Sequence, residues 1–387
     1  MDFTVPEHIQ LLRDSLARFT AKHMPREQAR LWDKNDHFPE QVFKALGEAG
    51  MMSLVVPEEY GGAGRDILAC MVVIEELSKR SMAVAVPYIM SACYAGMNLT
   101  ESASDQQKRD LLPKVAAGKI MFAYGWTEPD VGSDVASVKT TAKRMDGKVI
   151  INGSKRFCTG GGIADYLYTV CNSDPNGDRY KNLSIILIPK GAPGFEVKRM
   201  DMMGFKGAGT TDITLDNVEV QEDHILGGPD GWNQGWEMIA GPGLDVEKLE
   251  VAAMALGLGQ AAFEDAWNYA QDRIQFGKAV STYQSIRHKL ADMKTALHAS
   301  RLMLYNAAWM ATNNMPAGVE TSMTKLFVTE QCKLVCQEAQ TILGAYGYSK
   351  EFDTERYVRD SLLMPIIGGT SSIQRNNIVN WSGLAKA

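Results

Sequence analysis

Three short segments combine glycines and rings with hydroxyls or an arginine at spacings that could hold a flat or phosphate-bearing ligand. FAYGWTEPDVGSDVAS, residues 122–137, reads as a strand running into a turn rich in Gly, Pro, Asp and Ser. Such a turn brings backbone N–H groups and the hydroxyls of Thr127 and Ser133 to a strand end; an ordinary polar β-turn has the same composition. KRFCTGGG, residues 155–162, sets Phe157 and Thr159 two apart. On a regular strand they point to one side and could flank a planar ring, while the glycines let a backbone come close. A loop with no ligand would look alike. RIQFGKAV, residues 273–280, places an Arg, an aromatic and a Gly between two long helical patterns. That set suits bidentate anchoring of a phosphate or carboxylate, or a plain surface ion pair. Near the end, PIIGGTSSIQRNNI, residues 365–378, offers two glycines and three hydroxyls but no carboxylate or imidazole beside them.

The elements that must position these segments follow from periodicity. Residues 6–118 repeat apolar side chains at three and four, as in HIQLLRDSLARFTAKHM and ILACMVVIEELSKR, with Pro6, Pro39, Pro57 and Pro87 expected at helix starts or breaks. Residues 121–222 change to short β-rich runs, KVIING, YLYTVC and LSIILIP among them, separated by turns such as MDGK. From about 232 onward longer helical patterns return, of a length suited to a bundle with surface buried between subunits. The class is α+β: a helical domain over 1–120, an antiparallel β domain over 121–231 and a helical bundle over 232–387.

Composition narrows the partners. The 387 residues carry a net charge of −6 with no Lys/Arg cluster, which leaves no electrostatic footprint for nucleic acid. No apolar stretch is expected to cross a bilayer, and MDFTVPEHIQ lacks a basic start followed by an apolar core, so a cytoplasmic location is expected. Six scattered cysteines read as buried thiols; Cys332 and Cys336 share a helix face but have no histidine beside them to suggest a metal.

Taken together, VPEEYGG (56–62), TEPDVGSD (127–134), RIQFG (273–277), LGAYGY (343–348) and GGTSSIQR (368–375) resemble the acyl-CoA dehydrogenase family in order and spacing, over essentially the whole chain. The resemblance implies an N-terminal helical domain, a middle β domain and a C-terminal four-helix bundle in a homotetramer, a dimer of dimers. It also implies FAD as cofactor, an acyl-CoA substrate and electron-transferring flavoprotein as electron acceptor. By motif position, Tyr124, Trp126, Thr127, Gly132 and Ser133 would meet the flavin, with Ser133 also reaching the thioester, and Phe157 and Thr159 would line the flavin's other side. Arg273 and Phe276 would reach a neighbouring subunit's FAD, and Gln284, Gly344, Thr370 and Ser372 would hold its adenosine portion. Leu244, Asp245 and Lys248 match positions near the substrate's pantetheine arm and the base.

The family removes an α-proton with a carboxylate as the β-hydrogen leaves as hydride, which requires one placed base and a polarised thioester carbonyl. In most members that base is a Glu immediately before the final Gly-Thr; here the position is Gly368. LDVEKL, residues 244–249, resembles the segment of isovaleryl-CoA dehydrogenase and its long-chain relatives that carries the base instead, matching Glu247. Glu247, Val251, Met254 and Leu258 lie at i, i+4, i+7 and i+11, so the carboxylate heads an apolar stripe where desolvation would strengthen it. The plainer reading is an acidic residue in a helix's first turn. Gly368 would leave room for the relocated base while its N–H donates to the thioester oxygen.

The sequence departs from the family pattern at Trp126, Val131, Lys248, Thr341 and Ala345. Glu250, where an aliphatic residue is usual, is expected on the solvent side, the alternative being a tail pocket for a polar or cationic acyl group. Crotonobetainyl-CoA reductase is similar in lacking the C-terminal Glu, so reduction is the second reading. An acyl-CoA-binding or non-redox role is the third.

Overall fold

In the computed structural model, which describes residues 4–384, helices form where the three- and four-residue spacing predicts them. They run α1 (Glu7–His23), α2 (Arg26–Asn35), α3 (Glu40–Glu48), α4 (Ile67–Ser78), α5 (Met82–Tyr88), α6 (Gly96–Ser102) and α7 (Asp105–Ala116) before the sheet. After it come α8 (Gly235–Ile239), α9 (Pro242–Asp272), α10 (Gln284–Thr312), α11 (Gly318–Leu343), α12 (Thr354–Ser361) and α13 (Ser371–Trp381). Pro6 and Pro39 stand at the N-caps of α1 and α3, as expected of a residue that lacks an N–H.

Pro87 behaves differently from its expected role as a break. It lies inside α5, and a π-helical segment, Ile89–Ala95, carries the helix on into α6. A widened turn absorbs the missing donor and the ring clash without ending the helix. The resulting helix, Met82–Ser102, is 21 residues long and apolar enough to cross a membrane, against the expectation of none. Its most apolar window is 94% buried within the protein, which is the signature of a core helix.

The chain divides into two compact units. One takes residues 32–66 and 86–244, the other residues up to 31, 67–85 and from 245 onward. The first unit holds the sheet: β1 (Phe122–Gly125), β2 (Thr141–Met145), β3 (Lys148–Thr159), β4 (Tyr166–Asn172), β5 (Leu183–Pro189), β6 (Phe195–Arg199) and β7 (Thr210–Gln221). The order is β1-β4-β2-β3-β7-β6, with β5 also on β4. The Asp146-Gly147 turn, both residues at positive φ, closes the β2–β3 hairpin as MDGK predicts. The sheet is not wholly antiparallel: β1 pairs parallel with β4, Phe122 opposite Tyr166. Forty intervening residues allow a crossover there where a short turn would have forced an antiparallel pair. Both faces of the central strands are covered. Tyr168, Val170, Ile185 and Leu187 join one apolar cluster with Leu111 and Phe122, and Leu167, Cys171, Ile186 and Ile188 join another with Ile151 and Val218.

The second unit is a helical bundle, with α4 packed on α1 and α10, and α11 on α10, α12 and α13. Gly257 lets α9 lie against α4: a Cβ there would stand 2.4 Å from the Glu75 carbonyl oxygen. Glu75 itself is fully buried and ion-paired to Arg13 and Arg301. Burial pushes its carboxyl up, and the two guanidiniums outweigh that and hold it below the ordinary range. All six cysteines are buried, as their scatter suggested.

Candidate active site

Within the helical unit, Glu247 and Gly368 come together. A Cβ placed on Gly368 would stand 3.9 Å from Glu247 Oε1 and 2.8 Å from Val251 Cγ2. Gly368 also has φ +59, so backbone conformation and lack of space each call for glycine. Glu247 is half-buried, while Val251, Met254 and Leu258 are 4%, 4% and 2% exposed, which places the carboxylate at the head of a buried apolar stripe. Glu250 corrects the expectation of a solvent-facing side chain: it is 1% exposed. Helix α9 is covered on nearly every side between 246 and 258, so one turn of rotation from Glu247 does not lead out of the protein.

Lys248 is also buried, 2% exposed, with its Nζ donating to Asp245 Oδ1 at 2.7 Å and lying 4.5 Å from the centre of the Trp381 ring. Burial pushes its ammonium down, opposed by Asp245 and then Glu247. Its head group is thus spent on Asp245 instead of being offered at a surface. Leu244 is half-buried at the start of α9. Thr370 caps α13, its hydroxyl accepting from the Ile373 N–H at 3.2 Å, and Ser372 is exposed one residue past that cap's first turn position. Gly344, φ +60, ends α11. Arg273 lies over the Tyr346 ring at 5.6 Å, two residues from Gly344, and Gln284 opens α10, exposed. Phe276 is 95% exposed at the tip of a two-stranded ribbon, β8 (Ile274–Gln275) with β9 (Lys278–Ala279).

Within the sheet unit, the segments at 122–137 and 155–162 are joined by a hydrogen bond from the Arg156 N–H to the Thr127 carbonyl, 2.8 Å. Tyr124 lies one residue before the end of β1, with its ring 4.3 Å from Tyr94 and 4.9 Å from Tyr168. Next to it, the indole N–H of Trp126 is buried with no hydrogen-bond partner among the described residues. Gly132 has open space where a side chain would be, and Ser133 beside it is exposed. The Phe157–Thr159 argument from strand alternation fails, because β3 carries an irregularity between Lys155 and Cys158 and Phe157 has φ +57. The bulge leaves the Phe157 ring half out in solvent, with the Arg156 guanidinium 5.2 Å above it, and Thr159 back in the ladder opposite Thr210.

Sequence reasoning missed the pair that holds the 127–140 turn. Lys155 Nζ, 1% exposed as a residue, donates to Glu128 Oε1 at 2.8 Å, and the same carboxylate accepts from the N–H groups of Lys139 (2.7 Å) and Thr140 (2.9 Å). Burial pushes the Glu128 carboxyl up, but Lys155 and the two N–H donors hold it below the usual range. A Glu inside a turn motif facing a Lys on the next segment was the available signal. Among the described residues no group of three or more His, Cys, Asp or Glu is placed to hold a metal.

Within the sheet unit, an indole N–H without a partner among the described residues and a side-chain-free position lie at a strand end, as a polar-edged planar ring requires; within the helical unit, by itself, a carboxylate faces a bare backbone turn. Three family models cover this architecture: acyl-CoA dehydrogenase N-terminal domain over residues 6–119, middle domain over 123–218 and C-terminal domain over 233–383. An acyl-CoA dehydrogenase of Bacillus subtilis (strain 168) is 37% identical over 95% of this chain and 96% of its own length. A 3-(aryl)acrylate reductase of Clostridium sporogenes (strain ATCC 15579) is 35% identical over 95% and 97%. The structure of a glutaryl-coenzyme A dehydrogenase glutaryl-CoA complex superposes with a TM-score of 0.94, at 31% identity, over 100% of this chain and 98% of that one. The chain belongs to the acyl-CoA dehydrogenase family, whose members are FAD-dependent oxidoreductases acting on CH–CH groups.

Proposed function

We propose that the protein catalyses α,β-dehydrogenation of a short or branched acyl-CoA, with Glu247 as the base. The observation that carries this is the approach of Glu247 Oε1 to Gly368, the position from which the usual base is missing. Bound FAD would supply the two-electron acceptor for the β-hydrogen. The protein's own work is then to take the α-proton on Glu247 and to stabilise the thioester oxygen with the Gly368 N–H. The Tyr124–Ser133 segment, with Phe157 and Thr159, suits the flavin ring by the Trp126 indole N–H, which has no partner among the described residues, and by the open space at Gly132. Arg273 and the exposed Phe276, with Gln284, Gly344, Thr370 and Ser372, suit the pyrophosphate and adenosine of FAD in an adjoining subunit. A homotetramer, a cytoplasmic location and electron-transferring flavoprotein as acceptor complete the reading.

The C. sporogenes relative, a reductase by name, favours a second reading in which the same residues serve hydride delivery to an enoyl thioester and Glu247 returns the proton. Anaerobic bleaching of the flavin by straight, branched and cationic acyl-CoA thioesters tests the first. Rapid bleaching by one class, lost in Glu247→Gln by several orders of magnitude while flavin stays bound, is the expected result. Reoxidation of chemically reduced flavin by an enoyl-CoA, with no bleaching by any saturated thioester, would move the reading to reduction. Neither response would leave a binding role.

A further inference from the structure

Lys325 lies on α11 where that helix passes the Gly368–Gly369 turn, and it is 0% exposed. Its Nζ donates to the Gly369 carbonyl at 2.8 Å. The same carbonyl and that of Gly368 each accept from Gln374 Nε2 at 3.0 Å. Further along α11, Glu330 accepts from the Ser371 hydroxyl at 2.7 Å. The turn is therefore held from two helices, by Lys325 and Glu330 of α11 and by Gln374 of α13.

A neutral amide could donate to Gly369 equally well, so the hydrogen bond alone does not account for a buried ammonium. An ammonium has three donors, and among the described residues Gly369 offers the one acceptor shown for Lys325. Burial pushes the ammonium down to about 8, and the carboxylates that oppose this are Glu330 and then Glu247. Glu330 already has Lys333 at 2.6 Å as well as Ser371. Glu247 reaches the same electrostatic neighbourhood from α9, beside the turn that Lys325 holds.

We propose that Lys325 is a positioning residue for Glu247: it fixes the Gly368–Gly369 turn beside the carboxylate and supplies a buried positive charge that favours the ionised base. The inference rests on Glu247 being the base. The other charges bearing on this pair are Lys248 on α9, Glu330 and Lys333 on α11, and Arg375 on α13, which acts on Glu330. Among the described residues none of these four is shown donating to the turn's glycine carbonyls, which sets Lys325 apart from them.

The test compares the holoenzyme with Lys325→Gln, Lys325→Met and Glu247→Gln. The infrared carbonyl band of protonated Glu247 is the one absent from Glu247→Gln, and following it against pH needs no substrate. Both Lys325 variants are expected to move its midpoint up by about one pH unit, because a carboxylate loses a neighbouring cation. The acid limb of kcat with isovaleryl-CoA should move with it, while KM changes by less than about three-fold. Lys325→Gln keeps a donor for Gly369 and carries the test if Lys325→Met does not fold. An unshifted band in Lys325→Gln overturns this inference and leaves the base assignment standing. Undiminished turnover by Glu247→Gln instead overturns the base assignment, and this inference with it.

Discussion

Glu247 Oε1 and the absent Cβ of Gly368 are 3.9 Å apart, and Val251 Cγ2, 2.8 Å from that same Cβ position, closes the space to any side chain. The turn at 368 has a left-handed φ, and α9 sets a valine methyl in the volume a side chain there would enter, with the Glu247 carboxylate in contact at its edge.

Gly368→Ala should therefore be costly for two separable reasons. Strain at φ +59 and the contact with Val251 together predict a loss of about 1–3 kcal/mol and a fall in turnover larger than the fall in bound flavin. Adding Val251→Ala should recover the steric part of the stability but not the strain. Urea midpoints of the single and double variants measure both; full recovery in the double would show that φ contributes nothing.

Lys155→Met leaves Glu128 buried without its cation, its side chain 5% exposed. The expected loss is about 3–5 kcal/mol near neutral pH. Because Glu128's carboxyl is held low in the folded protein, its stabilising effect is full above the ordinary carboxylate range and fades as pH falls through the folded value. The gap in urea midpoint between wild type and Lys155→Met should accordingly narrow as pH falls below the ordinary carboxylate range toward the lower folded value. A gap that stays constant or widens on acidification would contradict this account of the turn.

Phe276 supplies a prediction in which stability and function part. At 95% exposure on a ribbon tip, Phe276→Asp should change the thermal transition of flavin-free protein by only about 2 °C or less. Flavin absorbance per chain after dialysis should fall several-fold, with light scattering reporting whether the proposed tetramer forms. Unchanged flavin retention would remove Phe276 from the proposed FAD contacts.

Much of this was legible before the fold was known, and the reasons are local. Strand, turn and glycine composition marked 122–137 and 155–162, and the i, i+4, i+7 spacing from Glu247 described a real buried stripe. What failed depended on partners distant in sequence or on backbone irregularities that no spacing announces. Glu128 and Lys155 lie 27 residues apart with no period to link them. The bulge at Phe157 breaks the alternation on which its pairing with Thr159 was argued. Nothing in the sequence tells a solvent-facing Glu250 from a buried one, and α9 is enclosed at that position. The proline rule expects a break at Pro87 and says nothing of a π turn that can absorb it.

Asp245 and Lys248 offer a last prediction. Lys248→Ala should cost stability by freeing Asp245 and the Trp381 face, about 1–3 kcal/mol, with the effect on KM for the CoA thioester following Asp245→Asn. Dissimilar KM effects from the two variants would separate Lys248 from Asp245's task.

The six buried cysteines fall three to a unit: Cys93, Cys158 and Cys171 with the sheet, and Cys70, Cys332 and Cys336 with the bundle. Burial also pushes up the thiols of Cys158, Cys171, Cys332 and Cys336, so they stay protonated as well as sheltered. A thiol-labelling reagent would meet them only as the chain opens. The order in which the two sets are tagged under mild denaturant would record which unit loosens first, an internal clock written in sulfur.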